Sequence, residues 1–128
     1  MIGKIPEELI ESVFEALPVD ITVLDADDKI LAWSRENTRI FKIPEDITGR
    51  DIRKCHPPNV MGQLETILKE MKEGKQEKAV VWGTKDGKMV LTGYYALRNK
   101  DGKYLGCMEV DQDITEIQKL EGENKTID

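Results

Sequence analysis

A single histidine, His56, and two cysteines, Cys55 and Cys107, are all that this chain offers a soft metal. A structural zinc site takes about four Cys or His ligands, so none is expected. Aromatic residues are scarce, at 5%. No apolar run approaches the roughly 18–20 residues that cross a bilayer. The opening residues Met1–Glu8 lack the apolar stretch of a secretory signal, so the expected location is the cytoplasm. There is no P-loop, no G-x-G-x-x-G and no G-x-S-x-G, so no catalytic residue is assigned and no enzyme activity is expected. Positive charge is also short: 19 basic residues stand against 25 acidic ones, a net of −6. The lysines are scattered among acids, which disfavours nucleic acid or an anionic membrane as a partner.

What is present suits one domain. The chain has 128 residues, 39% hydrophobic and 34% charged. That length sits at the usual size of a single domain and supports one core. Two cysteines in such a chain are expected as free thiols.

Pro6, Glu7 and Glu8 suit the start of a helix over 6–16, with Leu9, Ile10, Val13, Phe14 and Leu17 at helical spacing. Pro18 ends it. Val19–Asp25 and Lys29–Ser34 read as a hairpin of two strands. Arg35–Phe41 reads as a short helix, and Asp51–Lys54 as another helical piece. The prolines Pro57 and Pro58 break it. Asn59 is placed to cap the best helix in the chain, which Val60, Leu64, Ile67, Leu68 and Met71 mark with one apolar stripe and Gly74 ends. Three strands follow, Lys78–Trp82, Met89–Arg98 and Tyr104–Asp113, joined by turns with Asp-Gly at their centres. A polar helical tail carries Ile117 and Leu120.

The expected architecture is α+β: about five antiparallel strands with helices on one face. Residues 1–18 form an N-terminal helical segment, 19–115 the core and 116–128 a helical tail.

Local motifs agree with a known family. Ala32-Trp33-Ser34-Arg35-Glu36-Asn37 resembles the strand-to-helix corner of PAS domains. Phe41 followed by Gly49-Arg50-Asp51-Ile52, His56-Pro57 before the long helix, Asp101-Gly102 between the last strands, and Asp113-Ile114-Thr115-Glu116 after them resemble further PAS stretches in the family's order. The resemblance covers residues 8–120. A narrower likeness, carried by Gly49–Pro58, Val110–Ile117 and Leu120-Glu121-Gly122, is to the C-terminal PAS module of the DUF438 family. The resemblance implies a sensory and signalling module that holds a small ligand between sheet and long helix, dimerises, and signals through its terminal helices. Two alternatives stand beside it: a ligand-free dimerisation or docking module, and a haem or redox-cofactor sensor.

Strand alternation then nominates the ligand-facing positions. From the helix these are Val60, Leu64, Ile67 and Leu68. From the strands they are Trp82, Leu91, Gly93, Tyr95, Met108 and Val110, with Gly93 leaving room. Glu109 and Asp111 fall on the other face of the last strand; if the register is one residue off, they are the polar heads of a pocket. Leu9, Val13 and Phe14 are the expected dimer contacts.

No cofactor is required. Flavin adduct chemistry is not expected, because Ile52 stands where the flavin photosensors that this family includes place their cysteine. Haem sensors of the family place a histidine inside the long helix, where this chain reads Met61-Gly62-Gln63-Leu64-Glu65; Met61 and Cys107 are weaker axial candidates. Cys55 and His56 remain as cofactor ligands or, more simply, as closure of the loop before the helix. Cys55 reads chiefly as a small apolar residue, with Arg53 and Lys54 near enough to activate it.

Overall fold

The computed structural model describes residues 1–44, 48–54 and 58–127, with backbone alone for 58–60. The expected Cys55 and His56 positions, and the Val60 side chain, lie outside the described residues. Helix α1 spans Glu7–Ala16 and α2 spans Pro58–Lys72. The strands are β1 Asp20–Asp25, β2 Ile30–Trp33, β3 Lys78–Lys85, β4 Lys88–Arg98 and β5 Tyr104–Asp113. They form one sheet in the order β2-β1-β5-β4-β3 with antiparallel pairing throughout, so the last strand lies at the centre. Among the described residues, no helix is long and apolar enough to cross a membrane.

Turn chemistry sets these boundaries. Asp25 Oδ1 accepts the backbone N–H groups of Asp27 and Lys29 at 2.9 and 3.0 Å, closing the β1–β2 turn. Asp86 and Gly87 both take positive φ, 51° and 79°, the geometry a tight two-residue hairpin needs. Helix α2 begins at Pro58, so the expected cap Asn59 falls inside its first turn. It ends at Gly74, whose φ of 76° lets the Lys75 N–H reach the Glu70 carbonyl and the Gly74 N–H reach that of Met71.

The four apolar residues Leu64, Ile67, Leu68 and Met71 recur at helical spacing and pack on the sheet with Leu24, Ile30, Ile52 and Cys107. Because register partners in antiparallel strands share a face, the inner face also carries Thr22, Thr92, Tyr94, Ala96, Glu109 and Asp111. The outer face carries Ile21, Val23, Leu91, Gly93, Tyr95, Met108 and Val110. Helix α1 stands on that outer side: Ile10 and Phe14 share a hollow with Ile21, Val23 and Ala32. The Glu15 carboxylate accepts the Arg35 N–H and ties α1 to the end of β2.

Two expected helices differ. Arg35–Phe41 is a turn, because Arg35 sits at φ 55° and the following backbone is tied down by side chains rather than by helical bonds. The tail contains one short 3-10 turn, Ile117–Lys119.

Candidate functional site

Helix α2 fills one end of the inner face. Toward the other end β5 presents Cys107, Glu109 and Asp111 in alternation. Their register partners change from Leu24 and Ala96 to Thr22 and Tyr94, then to Asp20 and Thr92. The lining turns polar along the strand. The covering layer at this end includes Arg39, Phe41 to Pro44, Ile52 and Lys54. Beneath it lies a cavity of about 850 Å3. Ile30, Ile43, Ile52, Val81 and Val90 give it apolar walls. Thr22, Thr92, Tyr94, Glu109, Asp111 and Arg39 make one polar region, and Lys42, Lys54 and the β3 residues Trp82 to Lys85 complete the lining.

Arg39 builds the roof. Its buried guanidinium donates from Nε to the Phe41 carbonyl at 3.0 Å, and from Nη1 to the carbonyls of Ile21 and Ser34 at 3.2 and 2.7 Å. Nη2 donates to Thr22 Oγ1 at 2.7 Å. These bonds pin residues 34–41 to β1. Asp20 helps from the same strand, its Oδ2 accepting the Ile40 N–H at 2.7 Å.

Asp111 is the buried acid of the cavity lining. It is 1% exposed. Its Oδ1 accepts the Thr92 hydroxyl at 2.7 Å, whereas Oδ2 has no hydrogen-bond partner among the described residues. Burial, and after it the charge and hydrogen-bond contact of Glu109, push its pKa up to about 8, against the pull of the Thr92 hydroxyl and Arg39. Burial raises the Tyr94 phenol too, with Glu109 adding to the effect. The site therefore holds a carboxyl group that keeps its proton near neutral pH. Among the described residues, no group of three or more His, Cys, Asp or Glu is placed to hold a metal ion.

An inner-face cavity beside a five-stranded sheet of this order fits the family suggested by the motifs. A family model described as a PAS domain matches residues 10–115. The chain belongs to the PAS domain family.

Solved structures agree. This PAS domain is similar to a C-terminal domain from Streptococcus mutans, with a TM-score of 0.86 and 26% identity over 94% of each chain. It is similar to the PAS domain of BvgS from Bordetella pertussis, with a TM-score of 0.65 and 18% identity over 88% of each chain. It also resembles a sensory box sensor histidine kinase from Vibrio cholerae, with a TM-score of 0.59 and 14% identity over 84% of this chain and 90% of that one. The last two likenesses speak for the fold. No curated protein matches the sequence.

In this PAS domain the strand positions expected to face the helix are one residue out of step. Leu91, Gly93, Tyr95, Met108 and Val110 lie on the outer face. The room expected at Gly93 is taken by the Tyr95 ring: a Cβ there would stand 2.6 Å from it. Leu64, Ile67 and Leu68 are buried in the core beside the cavity rather than in its lining. Trp82 pairs with Leu91 on the outer face as well; it reaches the cavity lining only from the edge strand and is 70% exposed. Leu9, Val13 and Phe14 are exposed on α1. Cys107 is a free, wholly buried thiol whose pKa burial pushes up to about 12, and its sulfur lies 3.8 Å from that of Met71. Met61 packs against the core. The structure adds Arg39, Thr22, Thr92 and Tyr94, which the sequence reading did not nominate. Glu109 and Asp111 take the places that the one-residue register alternative had described.

Proposed function

We propose that this chain is a sensory PAS module that binds a small ligand in the inner-face cavity and passes its occupancy to the terminal segments. The cavity carries the reading: about 850 Å3 of space with apolar walls and one buried polar end. Ligand sites are commonly concave, mostly apolar and given orientation by a few polar groups. The route outward is short. Asp111 lies two residues before Asp113, which accepts the N–H and hydroxyl of Thr115 at 3.0 and 2.6 Å. Thr115 Oγ1 in turn accepts the Met89 N–H at 3.0 Å, so the exit of β5 is fastened to the start of β4. A ligand that moves Asp111 therefore strains the exit turn.

Dimerisation belongs to the same proposal. Helix α1 has no buried residue, and Leu9, Val13 and Phe14 remain open on it. The outer face adds Val80 and Trp82, both exposed. A second copy would cover these surfaces and let a change in the sheet reach the partner. The V13D and F14D variants are expected to run as monomers in light scattering; an unchanged dimer would remove α1 from the contact.

The test of the ligand reading is an absorption spectrum followed by denaturing mass spectrometry of the purified protein. Release of a stoichiometric organic molecule supports it. A colourless protein that releases nothing and binds nothing in a small-molecule screen moves the reading to a docking module.

A further inference from the structure

We infer that the polar end of the cavity is built to receive an organic cation, an amine carried on an apolar body. This deepens the proposed function and rests on the cavity being a ligand site. Its first support is Asp111, a cavity-lining residue with a buried oxygen that no donor among the described residues reaches. Buried polar atoms are rarely left so: protonated, Asp111 meets Glu109, but once ionised its second oxygen needs a donor.

The second support is the charge around that oxygen. Glu109 comes from the same strand face, and Asp20 stands opposite Asp111 on β1. Asp20 is already engaged, by the Ile40 N–H and by Arg35 at 3.8 Å. Thr92 and Tyr94 on β4 bring a hydroxyl and a phenol. Arg39 is the buried cation among the described residues, and four of its hydrogen bonds go to neutral oxygens, two in the roof and two on β1. Lys42, Lys54 and Lys85 belong to the lining, where Lys85 already meets Asp86 at 3.2 Å and the Phe41 ring at 5.4 Å. An anion at the polar end would meet Asp111 and Glu109 with Arg39 already engaged by neutral oxygens. With both acids ionised, Arg39 balances one of the two negative charges. Lys42 and Lys54 are exposed to solvent, so the other is met chiefly by a proton or by a ligand cation. An ammonium entering the site displaces the proton of Asp111 to solvent and donates to the oxygen that lacks a partner. The apolar walls hold the body of the ligand.

The test uses the full chain and three probes of one shape: phenethylamine, phenethyl alcohol and hydrocinnamate. Binding is followed by calorimetry and by the amide resonances of Thr22, Val90 and Thr92. The amine is expected to bind at least about tenfold more tightly than the alcohol, and the acid not at all. Amine affinity should rise by up to about tenfold per pH unit between about pH 6 and about pH 8, with proton release seen as a buffer-dependent heat. D111N should abolish the preference for the amine over the alcohol; E109Q, with the fold checked by circular dichroism, should weaken it. Alcohol or acid binding as well as the amine would overturn the cation reading and leave the ligand site standing. Silence from all three probes, with no cavity resonance shifted, would overturn both.

Discussion

Asp28 and Asp111 are almost equally buried, at 2% and 1% exposure, and each leaves one carboxylate oxygen without a partner among the described residues. They sit toward opposite ends of the inner face and do opposite work. Asp28 Oδ2 accepts Lys72 Nζ at 2.7 Å and Arg53 Nη2 at 3.1 Å. It ties the β1–β2 turn to the end of α2 and to the 3-10 turn at Ile52–Lys54. Asp111 has a neutral hydroxyl on one oxygen and a second acid for a neighbour. A buried carboxylate met by the chain's own cations fastens the fold. One met by a hydroxyl and a like charge opposes the fold, and under the proposed function a ligand's donor would relieve it.

Four substitutions sharpen or break this contrast. The largest effect belongs to the closed end, where L68A removes a side chain 1% exposed in the α2 stripe and should cost about 3–4 kcal/mol in denaturant unfolding. A loss under about 1 kcal/mol would mean that end is not tightly packed. D28N comes next. It keeps a residue type that tolerates the φ of 65° and removes the charge from both cations. Both partners are more than a third exposed and can return to water, so the expected loss is about 1–2 kcal/mol.

D111N should act with the opposite sign. Below about pH 4 the wild-type carboxyl is protonated folded and unfolded, and the variant gains nothing. As pH rises from there to about 8, the unfolded chain gives up this proton and the folded chain keeps it, so the wild type loses stability. The variant should therefore be more stable by at least about 1 kcal/mol at pH 8, a gain that vanishes in acid. Destabilisation at pH 8 would make Asp111 a second fastener. The smallest effect is expected from V90A, which trims a cavity wall that already lacks partners on one side: about 1 kcal/mol or less, against the value for Leu68.

Much of the fold was legible because its signals are local. The α2 stripe, the Gly74 stop and the Asp-Gly turns each act over a few residues, and the element order follows from them. The strand faces were harder. β4 and β5 are apolar on the outer side through Leu91, Tyr95, Met108 and Val110, while the inner side alternates Val90, Thr92, Tyr94 and Cys107, Glu109, Asp111. Apolar parity thus pointed to the wrong face. An acid pair at the centre of a sheet, in step with a cysteine and with Asp20 and Thr22 across the ladder, was the available signal. The turn at Arg35–Phe41 was hidden for another reason. Its shape is set by Arg39 and Asp20, whose partners lie up to 20 residues away in sequence.

The most direct test of the account is a carbon-detected NMR titration of the Asp111 side chain in the ligand-free protein. The carboxyl is expected to titrate well above the ordinary aspartate range, and to move down when phenethylamine is added. A midpoint near or below about 4, unmoved by the amine, would contradict it.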